Sequence, residues 1–224
     1  QGGRDMRYRN LIIASAVTAG GLAIVAAVAL GRLPAGTQLP THWGPDGLPD
    51  RFADAGTALF MPVALTVVAS LMMAALPSLE PMQHKLEQSA PLYRTAWVGL
   101  LGIMVLVEAM VAAPAFGLAL PATTMLIGIG VLFVALGNVL PKSRPGFFVG
   151  IRTPWAIMDP DNWIATHRYG GRIMVGAGFG LILVALLPMQ NATRTSFVIA
   201  LLLVMIATPI GYSFFYWRRT HRAG

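Results

Sequence analysis

Six long apolar stretches constrain this chain more than any other feature of its sequence. Each has 17–23 residues, and about 20 residues of helix cross a hydrocarbon core of about 30 Å. Backbone polar groups in lipid must hydrogen bond within their own segment, so each stretch is predicted to be a helix. We therefore expect an all-α, polytopic membrane helix bundle with six transmembrane helices. The predicted spans are Leu11–Leu30, Ala58–Leu76, Thr95–Phe116, Ala122–Leu140, Ile173–Met189 and Thr195–Trp217.

The composition agrees with a lipid-embedded chain. Hydrophobic residues make up 56% of it and charged residues 11%, whereas a soluble domain carries about 25% charged residues. The absence of cysteine excludes a disulfide framework and a thiolate metal site. In a membrane protein, the net charge of +7 is explained by cations that fix topology, so no direct contact with nucleic acid is predicted.

The distribution of cations predicts the orientation of the chain. Thirteen of the 16 Lys and Arg residues lie at the two ends and in the second-to-third and fourth-to-fifth connections, and three lie in the other connections. The positive-inside rule places both ends on the cytoplasmic side of the membrane. The first apolar run is long enough to be a retained span and not a signal peptide. We expect one domain over residues 1–224, with two spans and an outer loop in 10–76 and four spans in 95–217, including a basic cytoplasmic loop at 141–172.

The outer loop is rich in turn-forming and ionisable residues. Gly44-Pro45-Asp46-Gly47 is typical of a rigid turn, since proline fixes φ and glycine supplies positive φ. His42, Asp46 and Asp50 are spaced four apart, but the intervening prolines and glycines exclude a helical metal-binding face. Whether the loop binds a metal stays open, and Trp43 suits the membrane interface.

One charged residue falls inside a predicted span. Glu108 lies in the outer part of the third span, and an ionisable residue at that depth is a functional candidate. One hypothesis is a single outward-facing polar site formed by Glu108 with His42, Asp46 and Asp50. The alternative is a protonated Glu108 that hydrogen bonds to a neighbouring helix.

The basic loop has aromatic and cationic residues suited to the membrane interface. Asp161 is predicted to cap a helix that leads into the fifth span. Two interpretations remain open: an interfacial anchor whose cations meet anionic lipid, or a docking surface for a cytoplasmic partner. Gly176 and Gly180 are spaced for close helix packing within the chain.

Both loops resemble segments of the SdpI family of bacterial membrane proteins, known for immunity to a secreted killing peptide. The outer loop is similar to the family's amino-terminal domain of unknown function, through Leu39-Pro40-Thr41-His42-Trp43 and Gly47-Leu48-Pro49-Asp50. The basic loop is similar to the family signature at Gly137-Asn138, Arg144-Pro145, Phe147–Trp155, Trp163 and Thr166-His167-Arg168. One departure is Ala55-Gly56, where family members often have a lysine.

The resemblance implies an immunity protein that binds an extracellular toxin peptide and holds a cytoplasmic repressor at the membrane, with no cofactor. The outer site would comprise His42, Trp43, Asp46, Asp50 and Glu108. The cytoplasmic site would comprise Asn138, Lys142, Arg144, Arg152, Thr153, Trp155, Trp163, His167 and Arg168. Two rival functions are a metal- or carboxylate-dependent membrane hydrolase that uses the outer residues, and a small transporter. The sequence contains no nucleophile–base pair that would favour the enzyme. It also has too few charges at the membrane midplane to favour the transporter.

Overall fold

A computed structural model of the chain describes residues 2–44, 48–79, 88–146 and 149–221, with side chains from Tyr8 onward. Asp46, Lys85, Phe147, Phe148 and Arg222 lie outside the described residues. The described elements are α1 (Gly2–Arg32), β1 (Gln38–Trp43), β2 (Pro49–Asp54), α2 (Ala55–Leu79), α3 (Ala90–Ala112), α4 (Thr123–Val139), α5 (Pro154–Met158), α6 (Pro160–Leu186) and α7 (Asn191–His221), with short 3₁₀ turns at Ala113–Phe116 and Leu140–Lys142.

The six-span prediction is confirmed. Among the described residues, six helices are long and apolar enough to cross a membrane, and each overlaps one of the predicted apolar stretches. The span predicted at Ile173–Met189 belongs to α6, which begins at Pro160 and therefore extends well beyond the apolar run. Large apolar side chains such as Ile24, Leu71 and Phe215 are more than 60% exposed on these helices, as expected where lipid is the solvent.

The chain divides into two compact units. Unit 1 comprises residues 1–75 and 97–128, and unit 2 comprises residues 76–96 and 129–224. Helices α2, α3 and α4 each contribute to both units. The boundaries differ from the division into residues 10–76 and 95–217, which stays a prediction.

Unit 1 contains an antiparallel hairpin that the sequence did not predict. Strands β1 and β2 pair Leu39 with Ala53 and His42 with Arg51, with register irregularities on either side of His42. Pro40 and Pro49 are tolerated because each strand of a two-stranded ribbon is an edge strand. The hairpin packs on helix ends through a shared apolar core, whose buried members are Ala26, Ala29, Leu39, Ala55, Ala58, Leu59, Val111 and Ala112.

The hairpin leads directly into a capped helix. The Asp54 carboxylate accepts hydrogen bonds from the Thr57 backbone N–H at 2.9 Å and from the Thr57 hydroxyl at 2.8 Å. Asp54 thereby satisfies a free amide in the first turn of α2. These hydrogen bonds, that from the backbone foremost, hold the pKa of the Asp54 carboxyl below its ordinary value.

In unit 2, helices α4 and α6 approach backbone to backbone at two glycine pairs. A Cβ at Gly137 would stand 2.7 Å from the Gly171 carbonyl oxygen, and one at Gly130 would stand 2.7 Å from that of Gly178. Both pairs are seven residues apart on each helix, or about two turns, so they lie along one antiparallel seam. Small residues at such seams allow close helix packing in membranes.

Two local predictions for α6 were wrong. Asp159, and not Asp161, caps the helix, since its carboxylate accepts from the backbone amides of Asp161 and Asn162. Pro160 occupies the first turn, where the missing N–H costs nothing. Gly176 was expected to pack closely, but a Cβ there would meet nothing within 4 Å. The prediction holds at Gly180, where a Cβ would stand 3.0 Å from the Leu201 side chain of α7.

Candidate functional site

The basic connection, defined here as residues 141–172, ends within α6. His167 on α6 holds the irregular segment of the connection that precedes the helix. The ring is fully buried, and Nε2 accepts a hydrogen bond from the Ile151 backbone N–H at 2.8 Å. Nδ1 lies 2.8 Å from the Trp163 carbonyl oxygen. A carbonyl only accepts, so Nδ1 carries the proton, and Nε2 must be unprotonated to accept from Ile151. His167 is therefore neutral, and its ring stacks on Trp163 with centroids 4.2 Å apart.

Gly150 makes this arrangement possible. Its φ of +123° lies in a region that side-chain-bearing residues rarely adopt, and a Cβ there would stand 2.5 Å from His167 Nε2 and 2.7 Å from Trp163 Cζ2. The glycine thus serves two requirements at once, a left-handed backbone and an approach against two rings.

A buried polar network joins the connection to the last helix. Asn162 is fully buried and donates from Nδ2 to the Ser213 carbonyl oxygen at 2.9 Å. Its Oδ1 accepts from the hydroxyls of Ser213 and Thr166, both at 2.9 Å. The Ser213 hydroxyl also contacts the Thr153 hydroxyl at 2.5 Å. Thr153 caps α5 by accepting from the Ala156 amide, so the network links α5, α6 and α7.

Most predicted binding residues in the connection fall into two groups. Thr153, Trp163 and His167 are buried and hold the connection in place. Trp155 is half-buried and packs edge-on against Phe214, with ring centroids 5.0 Å apart. The cationic and amide members are exposed; they are Asn138, Lys142, Arg144, Arg152 and Arg168.

Arg144 is positioned through its backbone. Its N–H donates to the Ser89 hydroxyl at 3.0 Å, and the same hydroxyl lies 3.4 Å from the Arg144 carbonyl oxygen. Ser89 is buried just before α3, 55 residues earlier in the sequence. The exposed guanidinium therefore projects from an anchored backbone, as a surface for an anionic partner requires.

The structure brings together part of the predicted outer site. His42 Nδ1 lies 2.6 Å from Asp50 Oδ1 across the hairpin, and both side chains are about half exposed. Trp43 packs on the apolar core beneath them. Asp46 lies outside the described residues. Among the residues that the structure describes, no group of three His, Cys, Asp or Glu side chains could hold a metal ion.

Glu108 forms no hydrogen bond with that pair. It is 1% exposed within α3, and neither carboxyl oxygen has a hydrogen-bond partner among the described residues. The expected hydrogen bond to a neighbouring helix is therefore not found in that part of the chain. A buried carboxyl without a partner in a membrane span favours the neutral, protonated form.

Sequence reasoning missed Asn162 and Ser213 as central residues. They lie 51 positions apart, and nothing in local spacing connects an asparagine in the first turn of α6 to a serine near the end of α7. The one available signal was polarity, because Ser213 interrupts an aromatic and apolar stretch.

Comparison with known protein families identifies the same part of the chain. Residues 142–213 match the SdpI/YfhL protein family, from the basic connection to Ser213. This match confirms the resemblance of the basic connection to the SdpI family. Residues 17–66, which include the hairpin, match a domain of unknown function (DUF1648). No solved structure matches the chain.

A curated relative supports the same assignment. The immunity protein SdpI of Bacillus subtilis is 24% identical over 89 residues, which is 40% of this chain and 43% of that protein. The match thus spans less than half of that relative. All of the buried hydrogen bonds of Asn162 and His167 lie within the SdpI/YfhL segment.

Proposed function

We propose that this multi-pass membrane protein is an immunity protein of a bacterial inner membrane, which protects its host against a secreted toxic peptide. The observation that carries the proposal is the coincidence of the SdpI/YfhL segment with the buried network of Asn162, Ser213 and His167. The segment that matches the SdpI/YfhL family model thus contains the buried hydrogen bonds that join α5, α6 and α7.

The proposed orientation puts the hairpin outside and the basic connection inside. This orientation rests on the excess of Lys and Arg at the two ends and in the second-to-third and fourth-to-fifth connections. A peptide arriving from outside would meet the hairpin first. The anionic inner leaflet would attract the basic connection.

The toxin-facing site would centre on the hairpin. The exposed His42–Asp50 pair offers a hydrogen-bonding edge, and Trp43 anchors that edge to the apolar core. Amphipathic peptides combine cationic and apolar groups, which match a carboxylate beside exposed Phe52 and Leu48. Asp46 and Glu108 complete the proposed site, with Glu108 acting as a neutral hydrogen-bonding group.

Signalling to a cytoplasmic repressor would use the exposed cations of the basic connection. Lys142, Arg144 and Arg152 would contact an acidic face of the regulator. Buried Thr153, Trp163 and His167 would act as positioning residues that hold those cations in place. Coupling to the hairpin requires two states of the helices that both ligands bias.

Survival under peptide challenge tests the immunity proposal. The full chain would be expressed in a sensitive bacterial strain that is then exposed to a panel of secreted, membrane-active peptides. We expect selective protection against one class of peptide, and weaker protection from a His42→Ala/Asp50→Ala variant at equal membrane abundance. Gln38→Ala, at the exposed base of the same hairpin, is the matched control. Unchanged survival across the whole panel would reject the proposal.

Glu108→Gln separates two roles for the buried carboxyl. The amide keeps the shape and hydrogen-bonding capacity of a protonated glutamate. Full protection by this variant is expected if Glu108 acts in its neutral form. Loss of protection with normal abundance would show that ionisation is needed.

A further inference from the structure

A cleft between α4 and α6 is lined by two arginines. It has a volume of about 480 Å³ and is lined by Gly137, Asn138, Pro141, Arg168, Gly171, Arg172 and Val175. Arg168 and Arg172 are one helical turn apart, so their side chains project from the same face of α6. No acidic residue lines the cleft, and neither guanidinium forms an ion pair with a described carboxylate.

The glycine seam shapes this cleft. The backbones touch where a Cβ at Gly171 would stand 2.6 Å from the Gly137 carbonyl oxygen, and the Pro141 ring closes in at 3.0 Å. The close approach leaves no side chain between the helices at this point. The cationic side chains and the Asn138 amide are therefore grouped around an open space at the edge of the seam.

The cleft lies toward the end of α4 and the start of α6, next to the rest of the basic connection. Arg172 lies 14 residues before the end of α6, or about 21 Å along the helix, and Arg168 lies about 27 Å from that end. Asn138 lies about 22 Å from the start of the antiparallel α4. In a hydrocarbon core of about 30 Å that starts at those helix ends, the three backbone positions lie about 3–9 Å inside the opposite boundary, a distance that the long arginine side chains can span to reach the headgroups.

Exposed guanidiniums at that depth require an anionic partner. Burial without one is costly next to hydrocarbon, and a phosphate accepts two parallel hydrogen bonds from a guanidinium. Asn138 can add a neutral donor. The acidic residues at the start of α6 are too distant, since Asp161 lies about two turns before Arg168.

We propose that this cleft binds the phosphate headgroup of an anionic phospholipid, with Arg168 and Arg172 as its charged ligands and Asn138 as a neutral one. The inference is independent of the immunity function, because it depends only on unit 2 and on membrane depth. The phosphate chemistry is shared by free inorganic phosphate, so the test must separate the two sources.

The test uses the purified full chain in a neutral detergent. Thermal unfolding would be followed by tryptophan fluorescence while phosphatidylglycerol, phosphatidylcholine or inorganic phosphate is added. We expect saturable stabilisation by phosphatidylglycerol alone. Arg168→Gln/Arg172→Gln should weaken the apparent affinity for that lipid about tenfold or more. The control, Arg218→Gln/Arg219→Gln, removes two cations from the end of α7 and should change the affinity less than about twofold.

Three results would overturn the proposal. Equal responses of the cleft variant and the wild type would show that the cleft is not the lipid site. Equal stabilisation by inorganic phosphate would assign the cleft to a soluble anion. Stabilisation by an acidic peptide but not by phosphatidylglycerol would assign it to a protein partner.

Discussion

The backbone N–H of Ile151 donates to Nε2 of His167 at 2.8 Å, and this bond holds the irregular segment of the basic connection against α6. The second ring nitrogen is committed to the Trp163 carbonyl. The neutral imidazole therefore holds an irregular segment against a membrane span through two hydrogen bonds, an arrangement that we call the His167 brace. Arg152 directly follows Ile151 in the sequence, so this bond also holds the backbone beside one of the exposed cations.

Replacing Gly150 should disturb this brace. In Gly150→Ala, the alanine would have to adopt a φ of +123°, and its Cβ would press against the rings of His167 and Trp163. We expect a loss of about 2–4 kcal/mol in the free energy of unfolding, from backbone strain and overpacking together. Denaturant unfolding in detergent measures it. Gly146→Ala is the matched control, because a Cβ there is 3.5 Å from its nearest neighbour; equal stabilities of the two variants would contradict the brace.

The glycine seam makes a prediction with a control on the same helix. Gly171→Ala places a methyl group 2.6 Å from the Gly137 carbonyl oxygen and should destabilise unit 2 by about 1–3 kcal/mol. Gly176→Ala meets nothing within 4 Å, so it should be neutral or stabilising by up to about 1 kcal/mol, as alanine favours helix. Gly171→Ala should lower the midpoint temperature of unfolding, whereas Gly176→Ala should leave it unchanged or raise it. A shift of the same sign and size would place the helix contact elsewhere.

Asn162 and Ser213 should be energetically coupled. Asn162 Oδ1 accepts a hydrogen bond from the Ser213 hydroxyl, so each single change to alanine removes one partner of that buried bond and the double change removes both. The bond from Asn162 Nδ2 goes to the Ser213 backbone carbonyl and is lost only with Asn162. A double-mutant cycle should therefore give a coupling of about 1–2 kcal/mol. Pairing Asn162→Ala with Thr208→Ala is the control, since the Thr208 hydroxyl donates to the Val204 carbonyl within its own helix. Additive losses for Asn162 and Ser213 would exclude the network.

The Asp54 cap predicts a pH dependence. Because the folded-state pKa is lowered by the Thr57 hydrogen bonds, the cap contributes stability above the ordinary aspartate pKa of about 3.9. That contribution is lost as the pH falls through the lower, folded-state pKa. Asp54→Asn should flatten this part of the stability profile between neutral and acidic pH. An identical acid limb in the variant and the wild type would mean that Asp54 does not contribute.

Hydropathy predicted the spans because lipid imposes a length and a polarity on each helix. It missed the hairpin because Pro40 and Pro49 argue against ordinary strands, and a two-stranded ribbon tolerates them only as edges. It misplaced the cap of α6 because both Asp159 and Asp161 suit a cap, and the choice depends on Pro160. The contacts of Gly171 and Ser213 depend on distant partners, which a single sequence does not specify.

The most direct test of this account is the side of the membrane on which each loop lies. The chain has no cysteine, so single cysteines can be introduced at exposed Leu48 in the hairpin and at exposed Lys142 in the basic connection. In intact cells, a membrane-impermeant maleimide should label Leu48→Cys at once, and Lys142→Cys only after permeabilisation. Labelling of both positions from the same side would contradict the six-span topology and the roles proposed for both loops.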